Sequence, residues 1–100
     1  MKYDSNYFIN KFKHIPEHRW MTGNYGTGED ISAPHCALGH CGARLRPSDD
    51  PEAEVLSKLF LDNLSQSVAF VNDNCYGRYD QSTPKARILA ALQDIKNKGG

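Results

Sequence analysis

The chain reads as mostly α, a small bundle of about four helices in one domain spanning 1–100, with a short β-ribbon near residues 20–31. Two observations predict this. Apolar residues recur at helical spacing in segments that open on capping residues or on proline. Turn-rich composition is confined to one brief stretch, Met21 to Ile31, which holds Gly23, Gly26 and Gly28 with Asn24 and Thr27.

Asp4 and Ser5 cap a first helix whose apolar side is Phe8, Ile9, Phe12 and Ile15. Pro16 disfavours the α region for the residue before it, so this helix ends near His14 or Ile15, with Glu17 to Trp20 as a turn or a new segment. After the ribbon, Ser32 caps and Pro34 occupies the first turn of a central helix running to about Leu45. The stretch Ser32 to Arg46 is rich in small residues and carries Cys36, Cys41, His35 and His40. Gly39 and Gly42 each cost about 1 kcal/mol relative to alanine inside a helix. Close approach of another helix or of the Trp20 ring is the physical reason to place them there, so this helix is expected at the buried centre, with the others packed on it.

Asp49 or Asp50, then Pro51, Glu52 and Glu54, open the next helix, with Val55, Leu56, Leu59, Phe60 and Leu64 as its apolar face. Ser65 to Val71 forms one or two helical turns, and Asn72-Asp73-Asn74 a turn in which Asx side chains bond backbone, adjacent helix ends included. Ser82 or Thr83 with Pro84 begins the last helix, which buries Ile88, Leu89, Leu92 and Ile95; Gly99 stops it and leaves a frayed tail over 97–100. The expected core is Phe12, Trp20, Cys36, Leu38, Cys41, Leu45, Leu56, Leu59, Phe60, Phe70, Leu89 and Leu92.

The order of motifs resembles a domain-of-unknown-function family of small bacterial and phage proteins. The shared features are a Trp-x-x-Gly (Trp20, Gly23), a Cys-Ala-Leu-Gly (Cys36 to Gly39), an apolar-Asn-Asp (Val71 to Asp73) and a final Thr-x-x-x-x-Leu-x-x-Leu pattern (Thr83, Ile88, Leu89, Leu92). The resemblance spans Phe8 to Ile95. Val71 stands where the family usually has tryptophan, and the resemblance implies no activity, substrate or cofactor.

Twelve basic and twelve acidic residues cancel, which disfavours non-specific nucleic-acid binding and attraction to an acidic membrane surface. The start has no apolar leader, no apolar run reaches the length of a membrane span, and three cysteines are an odd count, so the expectation is a cytoplasmic protein with reduced thiols.

Four chemistries compete with plain packing. Cys36, His40, Cys41 and Cys75, joined by His14, His18 or His35, offer zinc-type ligands, but their spacing fits no standard pattern, and buried cysteines serve as small hydrophobes. No metal or cofactor is therefore expected. Cys36 in the first turn of its helix is a candidate nucleophile, with His14, His18 or His35 as the only bases on offer and Asn72 or Asp73 to orient them. The Asx triplet lacks the glycine and glutamate of a calcium loop. Tyr25, Tyr76, Arg78 and Tyr79, with Arg19, have the composition of a recognition patch, and equally that of half-buried loop anchors. The reading taken from the sequence is a small non-enzymatic module, phage-encoded or accessory, that binds and modulates a protein partner. A cysteine-dependent hydrolase or transferase using Cys36 is the alternative, and a metal-stabilised binding domain the second.

Overall fold

The structure, a computed structural model, describes residues 3–20, 22, 36–41, 50–74 and 78–100. Within them the chain is helical: α1 (Ser5–Lys13), a single 3-10 turn (Glu17–Arg19), α2 (Ala37–His40), α3 (Pro51–Leu64), α4 (Val68–Asp73) and α5 (Pro84–Asn97). The ribbon expected over 20–31 lies outside the described residues save Trp20 and Thr22, and Leu45 lies outside them too.

Local chemistry sets the helix starts. The Asp4 carboxylate accepts from the Tyr7 N–H at 2.9 Å, Asp50 from Glu52 at 2.9 Å, Ser67 from Phe70 at 3.1 Å and Thr83 from Ala86 at 3.2 Å. Each cap satisfies an N–H that the first turn leaves without an intrahelical partner. Pro51 and Pro84 occupy first-turn positions, where their missing N–H costs nothing.

Of the central helix expected over Ser32 to Leu45, only residues 36–41 are described, and α2 occupies Ala37–His40 among them. Cys36 is extended (φ −80°, ψ 176°) and is itself the N-cap, and Cys41 already closes the helix by bonding back to Leu38 and Gly39. Four residues with a glycine among them cannot sustain a helix by propensity, so neighbouring contacts set its length. It is still deeply placed, since Cys36 to Gly39 and Cys41 are all buried. The element on which the others pack is instead α5, which lies against α1, α3 and α4, while α2 touches α3 and α4. One core holds them together, built on Phe8, Phe12, Leu56, Phe60, Val68, Val71, Ile88, Leu92 and Ile95.

Phe70 was expected in this core and is 38% exposed. In α4 the buried residues are Val68, Val71 and Asn72. At about 100° per residue these three share one face and Phe70 points the opposite way. Leu59 and Leu89 are partly buried against the core rather than inside it.

The end of the chain is ordered by glycine. Gly99 takes φ 95°, its N–H donates to Lys96 O at 3.0 Å, and the Gly100 N–H donates to Ile95 O at 2.9 Å. This pair is a Schellman motif. The buried Ser5 hydroxyl then donates to Gly100 O at 2.9 Å, which joins residue 100 to the start of α1.

Candidate functional site

The sequence motifs that lie far apart along the chain meet in space. A series of ring contacts leads from α1 to them: Phe8 stacks on Phe12 at 6.0 Å, Phe12 meets the Trp20 ring edge-on at 5.3 Å, and Trp20 lies 5.0 Å from the His40 ring. The Trp20 indole N–H donates to Ile15 O at 3.2 Å, which gives this buried ring the polar partner it needs. Trp20 is thus a core residue. His40 Nε2 lies 2.9 Å from Arg19 O; because a carbonyl can only accept, this nitrogen is the donor of the bond.

The other end of α2 is held by Asn72, which is 0% exposed. Its Oδ1 accepts from the Ala37 N–H at 3.2 Å, its Nδ2 donates to Asp73 Oδ1 at 2.8 Å, and its backbone carbonyl accepts from Arg87 Nη2 at 2.6 Å. Asn72 thus bonds a helix end as expected of an Asx side chain, but that of α2, 35 residues away, and Asn72 and Asp73 close α4 instead of forming a turn. Arg87, only 3% exposed, also donates from Nε to Val71 O at 2.9 Å and from Nη1 to Gln81 O at 2.7 Å. A cation at the last carbonyls of α4 is favoured by the helix dipole as well as by the bonds themselves. The sequence reading missed Arg87. The available signal was phase: it lies four residues before Ala91 and one before Ile88, on the buried side of α5.

The candidate nucleophile Cys36 sits at the entrance to α2 and is 4% exposed. Burial pushes its thiol up from the ordinary 9.0; the backbone N–H groups of Gly39 and Leu38 oppose the rise, and the nearby Asp73 charge adds to it. Burial raises the Cys41 thiol further, with Glu52 adding to the effect. Neither cysteine is set up as a thiolate at neutral pH. Of the candidate bases, His14 and His18 are exposed, with His14 Nδ1 held 2.7 Å from Asn10 O, and His35 lies outside the described residues. Among the described residues no three His, Cys, Asp or Glu side chains gather as a metal site; Cys75 falls outside them.

Of the proposed recognition patch, Tyr25 and Tyr76 lie outside the described residues and Arg78 is exposed. Tyr79 is buried, with its hydroxyl donating to Asp94 Oδ2 at 2.8 Å. Burial and that bond push its pKa up to about 12. This bond anchors the loop to α5. On the described surface the large apolar side chains that stand exposed are Leu61 (51%) and Phe70. No described helix is long and apolar enough to cross a membrane. No family model, curated protein or solved structure matches the chain.

Proposed function

We propose that the chain is a small non-enzymatic module that binds and modulates a protein partner, as a phage-encoded or accessory protein of the kind its motif order resembles. One observation carries this reading: the polar and reactive groups of the motif face inward and hold helices together, while Phe70, Leu61 and Arg78 face out. Asn72, Arg87 and Tyr79 spend their polar atoms on α2, α4 and α5, and Cys36 is buried with a raised pKa. Phe and Arg are residue types that supply interface contacts, and the neutral net charge favours a protein over a polyanion.

The second reading is thiol chemistry at Cys36, supported by its place at the start of α2, where the nearby N–H groups of Gly39 and Leu38 oppose the rise of its pKa. One experiment separates the two: affinity purification of tagged protein from its native host, with Phe70→Ala and Arg78→Ala variants alongside and intact mass of the bait. The binder reading expects a stoichiometric partner in the wild type and at least a tenfold loss in the variants at unchanged melting temperature, the scale of one lost interface anchor of about 1.4 kcal/mol or more. No partner together with an adduct on Cys36 overturns it in favour of the thiol reading. Tyr79 is left intact because removing a buried anchor disturbs the loop itself.

A further inference from the structure

A helix of four residues is not stable by itself, so α2 is held by its packing on α3 and α4 and by the contacts at its ends. At the C-terminal end, His40 binds Arg19 O and packs on Trp20, contacts that tie it to the large aromatic series running into α1. At the N-terminal end the Cys36 side chain makes no capping bond, and the first helical N–H, that of Ala37, donates to the Asn72 amide at 3.2 Å. Asn72 is in turn aimed by its own bond to Asp73 and by the Arg87 guanidinium, which grips the carbonyls of residues 71 and 72. The two ends of α2 are therefore held by unequal means.

We infer that the N-terminal end of α2 is a local opening unit, that the Asn72 side chain is its latch with Arg87 as the support that keeps the latch aimed, and that opening uncovers the masked Cys36 thiol without unfolding the α1–α3–α5 core. The latch is a conformational device and requires no partner, so it stands apart from the binding reading. The Cys36 thiol serves as its reporter; Cys41, buried at the opposite end of α2 beside Glu52, serves as the internal control. Local openings of this kind occur at free energies below that of global unfolding, and exchange or labelling resolves them residue by residue.

The test is alkylation of the full chain by iodoacetamide at mildly alkaline pH, followed peptide by peptide, together with amide hydrogen exchange of the wild type. In alkylation the thiolate sulfur bonds to the acetamide carbon, iodide leaves, and the thiol proton passes to solvent. Asn72→Ala is expected to speed Cys36 labelling about tenfold relative to Cys41, because a buried N–H loses its acceptor. Leu92→Ala, a core truncation that leaves the bonds of Asn72 and Arg87 in place, is expected to speed both cysteines together. In the wild type the Ala37 amide is expected to exchange at least tenfold faster than the Leu92 amide after correction for intrinsic rates. Parallel acceleration of both cysteines in Asn72→Ala overturns the inference. If that variant does not fold, the wild-type exchange decides: equal protection of Ala37 and Leu92 means that α2 opens only with the whole molecule, and the latch is refuted.

Discussion

Arg87 carries its charge into the interior and meets three backbone carbonyls there, those of Val71, Asn72 and Gln81. The planar fork suits this role, because its donors leave in fixed, divergent directions and can satisfy carbonyls on two segments at once. An ammonium group is a single point and cannot span them. Arg87→Lys is therefore expected to cost about 2–4 kcal/mol, while Arg78→Lys on the surface is expected to cost less than about 0.5 kcal/mol. Urea denaturation midpoints of the two variants check this, and equal midpoints contradict the assigned role. The same reasoning explains why the residue was hard to see in sequence. An arginine inside an apolar pattern reads as a solvated side chain until the carbonyls at the end of another helix supply its partners.

The helix ends are the elements on which backbone conformation has the clearest consequences. Gly99 holds φ 95°, where an L side chain is strained, and a Cβ at residue 100 would stand 2.8 Å from Ile95 Cγ2 and 3.2 Å from Asn63 Nδ2. Ser65 ends α3 at φ 58° without being glycine. The two sites predict opposite outcomes. Gly99→Ala is expected to lose about 1–2 kcal/mol, and Ser65→Gly to gain about 0.5–1 kcal/mol, by removing or adding the freedom a left-handed cap requires. Thermal melts read these as shifts of about 4–8 °C per kcal/mol for a domain of this size, and a stabilised Gly99→Ala would show that the cap geometry is wrong. Helix starts were legible in sequence at Asp4, Asp50-Pro51 and Thr83-Pro84 because capping is a local reaction between a side chain and an N–H two or three residues on. The start of α2 was not legible, because part of what fixes it comes from a distant segment. The Asn72 acceptor, 35 residues away, fixes its first N–H.

At the scale of the molecule, burial of acidic groups that stay protonated governs the alkaline limit of stability. The Cys36 and Cys41 thiols are raised above their ordinary 9.0, and Tyr79 is pushed from 10.0 to about 12. As pH rises, the unfolded chain loses these protons first, so the native state binds more protons and stability falls. The contribution is complete below about pH 8 and is lost progressively from about pH 9 through about pH 12. The melting temperature is expected to be level near neutrality and to decline above about pH 9, with Tyr79→Phe softening the part of the decline above about pH 10. A level melting temperature up to about pH 11 would contradict the burial of these groups.

By itself the sequence determined the helical class, and the starts and most of the apolar faces of α1, α3 and α5, since each follows from caps and spacing within one segment. It also marked Trp20, Cys36 to Gly39 and Asn72-Asp73 as important. What those residues do was decided only in three dimensions. Whether Tyr79 meets a partner or an internal carboxylate, whether Phe70 faces in or out on so short a helix, and whether Arg87 is solvated or buried all depend on which groups arrive from other elements. A buried polar atom takes its role from the partner that satisfies it, and spacing along one chain segment does not name that partner.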